Sequence, residues 1–357
     1  MNNKINRITI RQPNDFHCHL RDKQELELNV NICFSKFHYI IVMPNLEVPI
    51  TSIDMALDYR KRIMDFNFFC KDKGKGKGIP LMTLYLSKNL DVNEIRKIKD
   101  NDCIIGIKYY PKGMTTNSEH GVSNVIEIIP QLKAMEEEGI PLLIHPETAN
   151  EDIDIFDRET HFIQNELKII RSECPNLRIV LEHISTKGAV DYVLNNKNNK
   201  IAATITPHHL VLNRNDIFTN GKLNPFNYCC PIIKRKEDRD SLIKIATSGN
   251  RKFFLGTDNA PHTEWNKLNN GKAGIFNAPV AIELITELFD RHNSLENLEK
   301  FISTNGTDFY HLEPCSDTIT LVKRPWTVPD KYCNFHNYYV PLYSNREIEW
   351  EIEWEIE

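Results

Sequence analysis

Eight short apolar runs recur along this 357-residue chain with amphipathic helical patterns between them, and no other feature restricts its fold as much. The runs are Ile8-Thr9-Ile10, Tyr39 to Met43, Pro80 to Leu86, Cys103 to Ile107, Pro141 to Ile144, Arg178 to Glu182, Ile201 to Thr206 and Lys252 to Thr257. Each has the length of a strand, and near-continuous apolarity fits a parallel sheet covered on both faces. Helical patterns lie over Asp54 to Phe66, Asn93 to Lys99, Val122 to Glu138, Glu159 to Cys174, Lys187 to Asn195, Lys236 to Thr247 and Ala278 to His292. Gly139 marks the end of the third as a C-cap signal. This alternation selects a single-domain (β/α)8 TIM barrel, a fold that places chemistry at the C-terminal ends of its strands.

The barrel is expected over residues 1–345. A repetitive tail, 346–357, carries Glu-Ile-Glu-Trp at Glu347 to Trp350 and again at Glu351 to Trp354. Its alternation fits a strand, and a frayed, disordered end is the other reading. The basic stretch Lys71 to Gly78 reads as a solvated loop before the third run.

Bulk properties narrow the function. A net charge of −5 without a basic stripe argues against nucleic acid. No apolar run approaches the ~18 residues of a membrane span, and the first residues lack the apolar segment of a signal peptide. Nine cysteines without Cys-x-x-Cys spacing fit reduced thiols in a cytoplasmic protein rather than a disulfide framework or a zinc knot.

Five runs lead into residues suited to a metal. The first precedes His17 and His19, and later ones end at Lys108, His145, His183 and Asp258. Residues i and i+2 of a strand face one side, so His17 and His19 can both point into the barrel mouth. A lone His-x-His pair is weak. Four histidines and an aspartate at the strand ends of one barrel favour a metal centre, since neutral imidazole is a common zinc ligand. An ammonium beside divalent cations would be repelled, so Lys108 there must be neutral, and a neutral amine can add CO2 to give a metal-bridging carbamate. Asp258 beside a metal-bound hydroxide can take and return a proton. Arg21, Asn45 and His262 can clamp a substrate carboxylate, and Thr115 and Thr116 lie in a loop suited to a lid.

These residues together resemble the dihydroorotase family of the amidohydrolase superfamily, which serves de novo pyrimidine biosynthesis. The match is carried by Asp15-Phe16-His17-Cys18-His19-Leu20-Arg21-Asp22, by Gly256 to His262 continuing to Lys267, and by Lys108-Tyr109-Tyr110-Pro111 with Thr115-Thr116-Asn117-Ser118. Thr206-Pro207-His208-His209-Leu210 and Pro231 to Arg235 extend it over nearly the whole chain. The resemblance implies two zinc ions per chain. His17, His19, Lys108 and Asp258 would hold one, Lys108, His145 and His183 the other, and carboxylated Lys108 would bridge them. It further implies that Arg21, Asn45 and His262 bind the substrate carboxylate, that Thr115 and Thr116 close the lid, and that backbone near Cys230 and Ala273 reads the pyrimidine ring.

The implied reaction is reversible cyclisation of N-carbamoyl-L-aspartate to L-dihydroorotate with loss of water. A bridging hydroxide would attack in the hydrolytic direction, with Asp258 as proton carrier. Cys18 departs from the aliphatic residue usual between the two histidines and should face away from the metals. Leu268 to Lys272 departs from the family's longer loop. The short stretch before Asp15 resembles the branch without a flanking β-sandwich, which implies a homodimer. Two rivals stand beside this reading. One is another cyclic-amide hydrolase, of hydantoinase or allantoinase type, which a substrate panel would separate. The other is an inactive barrel scaffold, whose mark would be missing ligands, and here every ligand is present.

Overall fold

The computed structural model describes residues 5–71, 78–219 and 221–354. Eight parallel strands pair in chain order: β1 (Asp15–Cys18), β2 (Tyr39–Val42), β3 (Ile79–Tyr85), β4 (Ile104–Tyr109), β5 (Leu142–Ile144), β6 (Ile179–Leu181), β7 (Ile201–Ile205) and β8 (Phe253–Leu255). Just beyond the ends of β1 and β8 the ring is closed by Asp258 N–H to His17 O at 2.8 Å and His19 N–H to Asn259 O at 3.0 Å. Helices wrap the outside and bury the strands' outer faces in one large apolar cluster. A second cluster with Phe16, Leu143, Val180, Phe254 and Tyr310 fills the barrel interior, so the barrel is a packed core and not a pore. Phe16 stacks on Tyr310 at 5.5 Å and meets Phe254 edge-on at 5.2 Å.

Two expectations need correction, and a third point that the sequence left open is decided. Ile8-Thr9-Ile10 is not a barrel strand. It lies in Arg7–Arg11, which pairs antiparallel with Thr318–Val322 in a sheet outside the barrel, and only Ile10 of the strand is buried. The barrel's first strand is the Asp15–Cys18 motif itself, four residues buried without exception. The helix expected from Glu159 to Cys174 is two, Arg158–Gln164 and Glu166–Glu173. Asn165 breaks it: its side-chain amide donates to His161 O at 2.8 Å, offering the backbone a local alternative to the helical ladder. Gly139, by contrast, caps its helix in the left-handed conformation, with φ 72°.

The tail is the third. Glu347–Ile348 pairs with Trp326–Thr327, and Glu351–Glu353 pairs with Thr318–Val322. Alternation puts Ile348, Trp350 and Ile352 on the inner face, all buried, and the Trp350 indole N–H donates to Asp290 Oδ2 at 3.1 Å. The repeat is therefore structure rather than a disordered end, and residues 355–357 lie outside the described residues. Most of the basic stretch, 72–77, also lies outside them. Trp350→Ala should lower unfolding free energy by roughly 3–5 kcal/mol, the usual cost of emptying a buried aromatic site. Denaturant unfolding checks this, and a loss of a few tenths would return the tail to a dispensable role.

Candidate active site

The strand ends converge on one narrow cleft of ≈ 30 Å³. It is lined by His17, His19, Arg21, Asn45, Thr115, Thr116, His145, His183, Cys230, Asp258 and Ala273. Lys108, the penultimate residue of β4, is fully buried, with its Nζ 5.1 Å from the Tyr110 ring centroid. His262 lines the wider outer cleft of ≈ 700 Å³ that shares Arg21, Asn45 and Thr116 with the inner one. His145 follows β5 directly. His183 and Asp258 lie just past β6 and β8 with φ of 40° and 46°, a left-handed geometry that turns each side chain out of strand register. Gly256 permits the crowding beneath the site, since a Cβ there would sit 2.8 Å from the Cβ atoms of both His17 and Thr204.

Hydrogen bonds fix which imidazole nitrogen is available. His17 Nδ1 lies 2.8 Å from Glu182 Oε2, which also accepts from Thr204 Oγ1 at 2.6 Å, and Thr204 Oγ1 in turn accepts the His183 N–H at 2.7 Å. A carboxylate can only accept here, so His17 carries its proton on Nδ1 and leaves an Nε2 lone pair. That Nε2 is buried without a hydrogen-bond partner and faces another acceptor, Asp258 Oδ1, at 3.5 Å. His19 Nε2 lies 3.0 Å from the same oxygen. His145 repeats the pattern: Nε2 is 2.8 Å from Glu147 Oε2, which leaves Nδ1 as the lone pair. The imidazoles of His17 and His145 lie 4.9 and 4.7 Å from that of His183. An unpartnered Nε2 of His17 aimed at a carboxylate oxygen suits a bound cation, and outer carboxylates such as Glu182 and Glu147 orient metal-ligating histidines.

The electrostatics agree. Burial favours the neutral form of three of the histidines, with His19 lowered to about 4, His145 lowered, and His183 held well below its ordinary value. Burial also pulls Lys108 down to about 8, although Glu182 and Asp258 favour its charge, and its Nζ has no hydrogen-bond acceptor. Burial opposes ionisation of Asp258, yet the bond to His19 and the neighbouring imidazoles hold its carboxyl well below the usual range. The donor set of neutral imidazoles, a carboxylate and an easily neutralised amine fits divalent metal such as zinc. A second close group, His208, His209 and Cys229, does not fit. Both His209 nitrogens are engaged, Nδ1 with Thr206 Oγ1 at 2.8 Å and Nε2 with Pro231 O at 3.1 Å.

The loop carrying Thr115 and Thr116 borders the cleft. Asn45 Nδ2 donates to Thr116 O at 2.9 Å and Asn117 Nδ2 donates to Asn45 O at 3.0 Å, so the loop after β4 is tied to the loop after β2. Thr115 Oγ1 and Tyr110 OH are buried without partners. Arg21 NH2 lies 3.3 Å from His262 Nε2, and that nitrogen is 3.0 Å from Ala273 O. Burial and the Arg21 charge lower His262 to about 2, so its ring is neutral and its Nε2 proton serves the Ala273 loop. Cys18 faces outward as expected, its sulfur 3.6 Å from that of Cys33.

Sequence reasoning assigned no role to Asp15, Glu147 or Glu182. Asp15 accepts the Thr257 N–H at 2.8 Å, the Thr257 hydroxyl at 2.5 Å and the His17 N–H at 3.1 Å, clamping β1 to β8 although burial raises it to about 7. The available signal was a carboxylate inside an apolar run, as in Ile179-Val180-Leu181-Glu182. A buried charge there requires a partner.

No protein-family model matches the chain. It is 44% identical over 352 residues to a dihydroorotase of Idiomarina loihiensis, covering 96% of this chain and 98% of that one. It is 42% identical over 346 residues to the mitochondrial dihydroorotase of Arabidopsis thaliana, covering 96% and 90%. Among solved structures, Saccharomyces cerevisiae dihydroorotase in complex with 5-fluoroorotic acid superposes with a TM-score of 0.89 at 32% identity over 98% of this chain and 99% of that one. An L-hydantoinase from Arthrobacter aurescens shares the fold at a TM-score of 0.79 and 16% identity, covering 96% and 82%.

Proposed function

The chain belongs to the dihydroorotase family of amidohydrolases, and from that premise we propose that it interconverts N-carbamoyl-L-aspartate and L-dihydroorotate at a two-zinc site in the barrel mouth. The observation that carries this reading is the convergence of His17, His19 and Asp258 with His145, His183 and the unpartnered Lys108 at adjacent strand ends. His17, His19, Lys108 and Asp258 would hold one ion, and Lys108, His145 and His183 the other, with Lys108 carboxylated. When bound, the pair would supply a hydroxide nucleophile at neutral pH and polarise the ring carbonyl.

The chain's own groups do the rest. The Arg21 guanidinium takes the substrate carboxylate at the boundary between inner and outer clefts, with Asn45 and His262 beside it. Backbone of Cys230 and Ala273 meets the ring. Asp258 accepts the nucleophile's proton and delivers it to the departing ring nitrogen, and cyclisation reverses that path. The cation at Arg21 favours an anionic ring over a neutral hydantoin. Turnover of a panel containing dihydroorotate, hydantoin and allantoin tests this. Dihydroorotate should be preferred strongly, and comparable hydantoin turnover would reassign the substrate.

The lid gives a sharper expectation. Replacing Thr115 and Thr116 together by Ala should lower kcat by roughly 10²-fold, as for lost donors that stabilise developing charge, with bound metal unchanged. Unaltered kinetics would reduce the loop to a turn.

We also propose a homodimer, on family grounds, with sedimentation equilibrium as its check. A cytoplasmic location is proposed too. No described cysteine forms a disulfide, although the Arabidopsis relative is mitochondrial, and no helix among the described residues is long and apolar enough to cross a membrane. Residues 1–345 are proposed as the catalytic unit, with the tail's strands packed on it.

A further inference from the structure

Lys267 is 3% exposed on the short helix Glu264–Asn269, at the back of the loops that line the cleft. Its Nζ donates to three main-chain carbonyls: Tyr228 O at 2.9 Å, Lys272 O at 2.9 Å and Gly274 O at 2.7 Å. An ammonium has three protons, so the three acceptors use its full donor capacity. Among the described residues no carboxylate pairs with it. Gly274 N–H adds a bond to Tyr228 O at 3.0 Å, so the two loops meet at the same carbonyl.

We propose that Lys267 is a positioning residue for the ring-binding edge of the site, gathering these carbonyls so that the main chain at Ala273 and Cys230 faces the cleft. The argument is one of peptide geometry. In a trans peptide the C=O and N–H point in opposite directions. Lys272 O faces the ammonium, so the Ala273 N–H of that same peptide faces away from it, and Ala273 lines the cleft together with Cys230. The Ala273 carbonyl is held separately by His262 Nε2. The loop has little freedom to compensate, because Gly274 has φ 146° and a Cβ there would lie 2.4 Å from Ala260 O. A cation on the carbonyl side also polarises the peptide and sharpens its N–H as a donor to a ring oxygen. Burying a charge with no counterion is costly, and burial pulls Lys267 down to about 8. An apolar residue would fill the space without that cost, but it would release the carbonyls.

The inference rests on the reading that a pyrimidine-type ring lies against Cys230 and Ala273. Lys267→Met keeps the length of the side chain and removes all three donors. The test compares zinc-loaded wild type and variant by calorimetry with 5-fluoroorotate, the ligand in the yeast relative's crystal, and by kinetics with dihydroorotate. The variant should bind 5-fluoroorotate about tenfold more weakly and raise KM for dihydroorotate similarly, since charge-assisted hydrogen bonds of this kind carry that much. Bound zinc should be retained and kcat should change less than KM. Wild-type affinity and KM in the variant would overturn the proposal. So would an unchanged KM with kcat reduced in step with bound zinc, which is what a purely structural role would give. If the wild type itself fails to bind 5-fluoroorotate, the ring-site reading falls and the proposal with it. Should Lys267→Met not fold, Lys267→Gln, with two donors for three carbonyls, is held to the same criteria.

Discussion

Asp258→Asn should cut turnover by roughly 10²–10⁴-fold, the range a positioned acid–base group commands. The carboxylate sits just past β8 with Oδ1 3.0 Å from His19 Nε2 and 3.5 Å from His17 Nε2, and an amide in its place can neither accept a proton nor carry the charge. The loss in kcat/KM must be equal in both directions at any one pH, because a variant cannot move the equilibrium. That equilibrium has its own pH dependence. N-carbamoyl aspartate carries two negative charges near neutrality and dihydroorotate one, so cyclisation consumes a proton, and the ratio of ring to open chain falls tenfold per pH unit, about 1.4 kcal/mol. Asp258 is held well below the ordinary carboxylate range, so it is lost as a base only in strong acid. Between about pH 6 and 9 it is already ionised, and a fall in hydrolysis toward pH 6 then reports protonation of the nucleophile rather than of Asp258. Both rates measured across that range, with zinc assayed in each sample, check this. An Asp258→Asn enzyme with its zinc and near-normal turnover would remove Asp258 from the proton path.

Lys108→Ala should lose metal and activity together. Lys108 is the one buried group in the centre that ordinarily repels cations, and burial lowers it to about 8, so a usable fraction is neutral at physiological pH. Added to CO2, the amine becomes an anion with two oxygens where the wild-type Nζ has no acceptor. Alanine leaves a hole and no anion. Turnover should fall to the background of the metal-free protein, and a short carboxylic acid such as propionate should restore part of both zinc binding and activity by entering that hole. Protein prepared with ¹³C-bicarbonate should show a lysine carbamate resonance that Lys108→Ala lacks. An active, zinc-loaded wild type without that resonance would exclude the bridging role.

The parts of this site that were legible in the sequence share a physical cause. Parallel strands covered on both faces are continuous apolar runs, so a polar residue ending one stands out, as Lys108, His145, His183 and Asp258 do. Residues whose roles depend on a distant partner did not stand out. Glu182 serves His17 from β6, Asp15 joins β1 to β8, and Lys267 holds loops 228–230 and 272–274 from a separate helix. None of those pairings has a local signature. The first run misled for a related reason. Ile8-Thr9-Ile10 has the composition of a strand and is one, but which sheet it joins is decided by Thr318–Val322, more than 300 positions away. The tail was ambiguous because Glu-Ile-Glu-Trp alternation is equally a one-sided strand and a low-complexity end. Burial of Trp350 decides between them.

The most direct test of the two-zinc reading is to strip the protein with a chelator and titrate zinc back while following dihydroorotate turnover. Activity should return as zinc is bound and level off at two ions per chain. Full activity at one ion, or in the stripped protein, would contradict the account.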